Sequence, residues 1–174
     1  DVCPSYWPMY NDNVTWPSTL FMAPHMLYTQ YGDTRSIESH YDGMQRWLAH
    51  MEQYIQDGLM PRDNYGDWCV PPEEKHLIHS NDESRKTSGE VLGTTYFIYD
   101  LKLMAKYAAM LGKPDDATRY EAQAQAMTDA FNQKYWNADK GYYANGSQSA
   151  QVLPLYFGIA PAEAQGPAFD HLVN

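Results

Sequence analysis

The chain has few cysteines and no spacing of them that suggests a structural site. Its 174 residues include only Cys3 and Cys69, and no CxxC pair or Cys/His metal spacing surrounds either one. A disulfide framework and a structural zinc site are therefore not expected. We expect two free buried thiols, with a single bridge in an oxidising compartment as the alternative.

Positive charge and long apolar runs are also scarce. The formal net charge is −10, whereas nucleic-acid binders carry a basic stripe. The same charge disfavours anionic membrane surfaces and polyanionic substrates as partners. No apolar run approaches the roughly 20 residues of a membrane-spanning helix. We therefore expect neither nucleic acid nor a membrane as a partner, and a neutral ligand is compatible with the charge.

Several kinds of catalytic motif are missing. There is no Gly-rich phosphate loop and no serine nucleophile elbow. The six histidines form no HExxH pattern, and only His76 and His79 are spaced to share a helix face, without a third ligand. The sequence thus predicts no metal and no cofactor.

The two ends of the chain give no sign of a complete gene product. The start has neither a basic segment nor an initiating Met, and the last residues fall inside an amphipathic pattern. We expect a piece of a longer protein. The compartment stays open, with the periplasm or the exterior favoured over the cytoplasm.

Helical spacing of apolar residues is the main pattern in the chain. Apolar residues, which make up 44% of the sequence, recur at steps of three to four from Leu20 to Tyr31, and Gly32 is a natural left-handed stop. Pro24 should kink this helix. A second stripe runs over 37–55 and should end at Gly58, so the two helices form a hairpin.

The second half repeats this organisation. A helix over 91–111 is apolar on more than one face, which indicates an inner position. Gly112 should end it, and Pro114 should begin the next helix, which runs to about 135. No run of alternating apolar and polar residues is long enough to predict a β-strand. The predicted division is an ordered loop over 1–16, a hairpin over 17–57, a functional loop over 58–90, a hairpin over 91–136 and further helices over 137–174.

This order of hairpins predicts an all-α fold, either a helical solenoid or a closed α/α toroid. No repeat of 30–45 residues is visible, which weakens the solenoid option. The segment 58–90 is too long to be a plain connection inside a compact domain, so it is predicted to be functional.

Asp67 and Trp68 are the candidate ligand-binding residues of that segment. A carboxylate accepts hydrogen bonds from neighbouring sugar hydroxyls, and an indole face stacks on the C–H face of a pyranose. Together on a loop, they suggest carbohydrate recognition. A turn at Gly66 and Asp67 followed by a core Trp68 explains the same residues equally well.

Three other acidic positions are weaker candidates. Asp12 could line a pocket, although a turn role is favoured. Glu73 and Glu74 are expected to start a helical turn rather than to act as acid or base. Glu90 could face a pocket at the start of the inner helix, but a favourable charge at a helix N-terminus is the simpler role.

An ordered series of short motifs runs along nearly the whole chain. The motifs are Trp16-Pro17-Ser18, Tyr31-Gly32-Asp33, 41–47, Tyr65-Gly66-Asp67-Trp68, 108–113, 146–150 and 153–158. Their order and spacing resemble the central part of the catalytic domain of bacterial α-L-rhamnosidases. The resemblance implies part of an (α/α) six-hairpin barrel with a sugar-binding end built from loops. It also implies inverting hydrolysis of terminal α-L-rhamnosides.

The resemblance assigns roles to individual residues as well. It implies that Asp67 bonds rhamnose hydroxyls, that Trp68 forms the wall for the C6 methyl group, and that Trp16 lies near the pocket. Pro17 stands where the family often has glycine. The family's general acid and general base fall in segments before residue 1 and after residue 174, so the catalytic residues are expected outside this chain. Its partners would then be a rhamnose-terminated glycoside and the rest of its own catalytic domain.

Two alternatives remain open at the level of the sequence. One is another α/α-barrel glycosidase with a different sugar specificity. The other is a non-catalytic helical carbohydrate-binding or scaffold module, in which Trp68 would pack between helices instead of lining a pocket.

Overall fold

Six α-helices make up most of the residues that the computed structural model describes, which are 12–64, 66, 67 and 69–174. The expected all-α class is confirmed. The helices are α1 (Thr19–Tyr31), α2 (Arg35–Glu52), α3 (Gly89–Met110), α4 (Pro114–Tyr135), α5 (Gln148–Tyr156) and α6 (Ala162–Val173).

Two minor elements accompany the helices. A single 3₁₀ turn covers Glu83–Arg85 in the long connection between α2 and α3. Strands β1 (Trp136–Asn137) and β2 (Tyr142–Tyr143) form a short antiparallel ribbon, in which Trp136 lies opposite Tyr143. The ribbon follows α4 directly and packs against α5 and α6.

Helix α3 lies at the centre of the fold. It packs against α1, α2, α4 and α5. Its buried residues include Val91, Phe97, Ile98, Met104 and Tyr107, which do not fall on one side of the helix. Helix α3 lacks a polar stripe because other helices contact it on several sides.

Several helix ends lie where the sequence indicates. Gly32 adopts the left-handed conformation with φ of 67° and donates its N–H to the carbonyl of Tyr28. Gly112 is also left-handed, with φ of 70°, and donates its N–H to the carbonyl of Ala109 after the end of α3. Pro114 then begins α4, followed by Asp115 and Asp116, whose charges favour the positive end of the helix.

The end of α2 differs from the expectation. The apolar stripe of α2 is buried from Ile37 to Met51, but the helix ends at Glu52 rather than near Gly58. The chain turns back instead, through left-handed backbone at Asp57 (φ 50°) and Gly58 (φ 76°), and Gln56 pairs with Leu59. The apolar character of Ile55 therefore reflects packing of this turn against the core and not a longer helix.

Cys69 is a free thiol on the surface, so the expectation of a buried thiol is wrong for this residue. Cys3 lies outside the described residues. Within the described part of the chain, no helix combines the length and the apolar character needed to cross a membrane.

Candidate carbohydrate-binding site

The segment 60–63 runs across the first turns of α3 with backbone against backbone. A Cβ atom at Gly89 would lie 2.0 Å from the carbonyl oxygen of Asp63, and one at Gly93 would lie 2.7 Å from that of Met60. Both separations are impossible for a real side chain. Thr94 adds a hydrogen bond, because its Oγ1 accepts from the backbone N–H of Met60 at 2.9 Å. Two glycines one helical turn apart therefore set the path of this loop.

Asp63 connects the loop to the segment before α1. Its side chain is only 6% exposed. Oδ2 accepts from the hydroxyl of Thr15 at 2.6 Å and from its backbone N–H at 3.2 Å. Oδ1 accepts from the N–H of Gly66 at 2.7 Å. The Asp63 carboxylate thus links Thr15, which precedes Trp16, to Gly66, which precedes Asp67.

Trp16 lies in the turn that precedes α1. The backbone N–H of Ser18 donates to the carbonyl of Val14 at 3.0 Å, which closes this turn around Trp16. Val14 is fully buried, whereas Trp16 is 42% exposed. The turn therefore keeps an aromatic ring partly at the surface, on a segment tied to the loop of Asp67.

A polar cavity of about 410 Å³ opens beside the loop at the N-terminal end of α3. Backbone and side chains of the loop form one side, and the residues that lead into α3 form the other. The polar lining includes Asp63, Asn64, Asp67, Lys86, Thr87 and Ser88. Hydroxyl, amide and carboxylate groups of this kind match the hydroxyl groups of a sugar.

Asp67 is partly exposed in this cavity and has a fixed orientation. Its Oδ2 accepts from the hydroxyl of Thr87 at 2.8 Å and from the backbone N–H at 3.4 Å. The same hydroxyl lies 2.6 Å from Oγ of Ser147, at the start of α5. Among the described residues, Oδ1 of Asp67 accepts no hydrogen bond. This oxygen is therefore available to a hydroxyl group of a ligand.

The other sequence-based candidates lie elsewhere. Trp68, like Tyr65, lies outside the described residues. Asp12 is buried and accepts a hydrogen bond from Tyr54 at 2.6 Å, while His50 lies 3.0 Å from the same oxygen. Asp12 therefore ties the first described residues to the end of α2 and does not line the cavity.

Glu73 is held by contacts of its own in the segment between α2 and α3. Glu73 accepts a hydrogen bond from Ser80 and pairs with Arg85 at 2.6 Å, and these bonds lower the pKa of Glu73 to about 2. A carboxyl that loses its proton so readily cannot serve as a general acid near neutral pH.

Glu90 faces α4 from the first turn of α3. It accepts hydrogen bonds from Lys134 and Tyr135. Partial burial raises the pKa of Glu90, but these hydrogen bonds outweigh it and lower the pKa overall. The favoured role, a structural charge near the helix N-terminus, agrees with this placement.

His76 and His79 have different partners. His76 lies 3.2 Å from Glu74, and His79 Nδ1 lies 3.3 Å from the carbonyl oxygen of Ser80. In the described ranges, no group of three or more His, Cys, Asp or Glu side chains is arranged to hold a metal ion.

The chain resembles known proteins along its whole length. The model of the bacterial α-L-rhamnosidase six-hairpin glycosidase domain matches residues 1–174. The chain belongs to this family. The α-L-rhamnosidase of Formosa agariphila is 27% identical over 168 residues, which is 95% of this chain and 18% of that protein.

Solved structures show the same fold in two relatives. The α-L-rhamnosidase of Streptomyces avermitilis, solved in complex with L-rhamnose, superposes with a TM-score of 0.82 at 29% identity over 98% of this chain. That of Dictyoglumus thermophilum superposes with a TM-score of 0.83 at 29% identity over 98% of this chain. The chain spans 15% and 19% of those two proteins, so it corresponds to one part of each of them.

The family fold explains the position of the cavity. In a ring of helical hairpins, inner helices such as α3 bring their connecting loops to one end. Sequence reasoning found Asp67 but missed Asp63 and Thr87, which hold the loop in place. Asp63 directly precedes the Asn64–Trp68 stretch, and its short acidic side chain beside a turn was the only signal in the sequence.

Removing the Asp63 carboxylate should loosen the cavity. We expect Asp63→Ala to lower the free energy of unfolding by about 2–4 kcal/mol, at or above the usual range of about 0.5–3 kcal/mol for one substitution, because several donors lose a buried charged acceptor. Chemical denaturation measures this change. Asp139→Ala, at an exposed position beyond β1, is the matched control and should change the free energy by less than about 0.5 kcal/mol. Equal effects of the two substitutions would contradict the role of Asp63.

Proposed function

We propose that this chain is the substrate-binding part of the catalytic domain of a glycoside hydrolase that cleaves terminal α-L-rhamnosides. The proposal is carried by one observation: the polar cavity with Asp67 lies at the loop end of the inner helix of a rhamnosidase-family fold. The predicted division into an N-terminal loop, hairpins and the functional loop 58–90 is part of the same proposal.

Asp67 and the two tryptophans would bind the sugar. Oδ1 of Asp67 would accept hydrogen bonds from rhamnose hydroxyls, while Thr87 holds Oδ2 in place. Trp16 and Trp68 would supply apolar surface for the ring and for the C6 methyl group. A neutral deoxyhexose fits a site whose protein carries a net charge of −10, because no anionic group has to approach it.

We propose that the general acid and the general base lie outside this chain. Inversion needs one carboxylic acid that protonates the leaving oxygen and one carboxylate that activates water, about 6.5–9.5 Å apart. The described carboxylates around the cavity are engaged as acceptors. Asp63 accepts three hydrogen bonds, Asp67 accepts from Thr87, and Glu83 pairs with Lys86 at 2.6 Å. These environments suit binding and positioning better than proton delivery.

The decisive experiment is an assay of the full-length protein that contains this chain. We expect hydrolysis of p-nitrophenyl α-L-rhamnoside, with β-L-rhamnose as the first product in NMR spectra, and no hydrolysis by the 174-residue chain alone. Glucoside, galactoside and xyloside substrates are the matched controls. Preference for one of these sugars would show that the enzyme is not specific for rhamnosides. Retention of the anomeric configuration would overturn the inverting mechanism.

A further inference from the structure

Among the described residues, no cation lies beside a buried acid on the central helix. Asp100 of α3 is fully buried, and Oγ of Ser18 lies 2.7 Å from its Oδ2. Its Oδ1 has no hydrogen-bond partner in the described part of the chain. Lys102, on the same helix, donates instead to the carbonyls of Phe157 and Gly158. An ionised carboxylate in this place would be poorly compensated.

The number of protons available between Ser18 and Asp100 also indicates that Asp100 is not ionised. Oγ of Ser18 is also 2.9 Å from the carbonyl oxygen of Val14. A serine hydroxyl carries one proton, and a carbonyl or a carboxylate can only accept. If Asp100 were ionised, one of the two contacts of Ser18 would join two acceptors. A proton on Oδ2 satisfies both contacts, because Asp100 then donates to Ser18 and Ser18 donates to Val14.

We propose that Asp100 is a neutral carboxylic acid that acts as a hydrogen-bond donor and, through Ser18, fixes the turn that holds Trp16. Burial raises the pKa of Asp100 well above its ordinary value, against the smaller opposing effect of the contact with Ser18, and this direction supports the protonation state. Asp100 is then a positioning residue. Its consequence for sugar binding rests on the proposed function, whereas its protonation and its effect on the turn do not.

The pH dependence of stability tests the proton directly. The native state would keep a proton that the unfolded chain loses above the ordinary carboxyl pKa of 3.8, so stability falls as pH rises from there to the native pKa. In Asp100→Asn the amide N–H replaces the acid O–H and does not titrate. In the full-length protein, the unfolding equilibrium constant of the wild-type domain should rise about tenfold per pH unit relative to this variant. Parallel pH curves would overturn the proposal.

The position of Trp16 tests the second half of the proposal. In protein labelled with fluorotryptophan, the ¹⁹F signal of Trp16 is assigned by its loss in Trp16→Phe. We expect Asp100→Leu, which has no donor, to shift this signal, and Asp100→Asn to leave it in place. A signal that moves equally in both variants, or in neither, would contradict the positioning role. Should Asp100→Leu fail to fold, Ser18→Ala takes its place, because it removes the hydroxyl that links Asp100 to the turn. A shifted signal in Ser18→Ala then supports the role, and an unchanged signal opposes it.

Kinetics connect the turn to the proposed activity. Loss of the apolar surface that Trp16 would supply weakens substrate binding equally in the ground state and the transition state. KM therefore rises while kcat stays unchanged. We expect KM for the rhamnoside to rise about fivefold in Asp100→Leu, as for the loss of one hydrogen bond, and to change less than twofold in Asp100→Asn. An equal rise in both variants would oppose a neutral donor. A wild-type protein without rhamnosidase activity would refute the proposed function alone, since the pH and ¹⁹F measurements still decide the state of Asp100.

Discussion

Asp67→Ala in the full-length protein is expected to lower kcat/KM for an α-L-rhamnoside by about 10- to 100-fold for each hydrogen bond that the sugar loses. The carboxylate is oriented through Oδ2 by Thr87, and Oδ1 is available to the substrate. A hydrogen bond to a charged acceptor contributes about 1.5–3 kcal/mol, and every 1.4 kcal/mol corresponds to a factor of ten. Steady-state kinetics with a chromogenic rhamnoside measure the effect.

Two further variants make this result specific. Asp129→Ala removes an exposed carboxylate on α4 that bonds only Gln125 among the described residues, and it should leave kcat/KM within twofold of wild type. Thr87→Val keeps the size of the side chain but removes the hydroxyl that orients Asp67, so we expect an intermediate loss of about fivefold. Rhamnoside hydrolysis at the wild-type rate by Asp67→Ala would refute its role in sugar binding.

Among exchanges of a described glycine for alanine, we expect Gly89→Ala to lower the stability of the fold most. The new Cβ would lie 2.0 Å from the backbone oxygen of Asp63, so either the loop or the first turn of α3 has to move. Overpacking typically costs about 1–3 kcal/mol, and contact with fixed backbone places this case at or above the upper limit. Thermal unfolding should show a melting temperature lower by about 6–12 °C.

Gly43→Ala is the matched control for this substitution. Gly43 also lies inside a helix, but its Cβ would meet only the end of the Arg46 side chain at 3.9 Å. Alanine should therefore stabilise α2 by about 0.5–1 kcal/mol through its higher helix propensity. A melting temperature for Gly89→Ala as high as that for Gly43→Ala would show that the close approach of the loop to α3 is not required.

The helices were largely predictable because their boundaries depend on local chemistry. Gly32 and Gly112 end helices through left-handed backbone, and Pro114 begins one, so each boundary is set within a few residues. The end of α2 was not predictable in this way. Ile55 continues the apolar spacing, yet it belongs to a turn, and a pattern of buried residues does not distinguish helix from turn when both face the core.

The candidate site was only partly predictable for a different reason. Asp67 was found because an acid beside a tryptophan on a loop is a local signal. The residues that hold it in place are distant in sequence: Thr87 is 20 residues away from Asp67, and Ser147 is 60 residues away from Thr87. Asp63 and Thr15 are 48 apart, and Ser18 and Asp100 are 82 apart. Such pairs form only when the helices assemble.

The glycine contacts beneath the loop have a consequence for how this site can change. Because Gly89 and Gly93 fix the backbone path of 60–63 by direct contact with main-chain oxygens, the path depends little on the side chains that the loop displays toward solvent. If the cavity binds the sugar as proposed, substitutions at exposed Asn64 would alter which sugar it binds without moving its wall. New sugar preferences would then be reached by single exchanges, so specificity would be free to diverge while the backbone path stays the same.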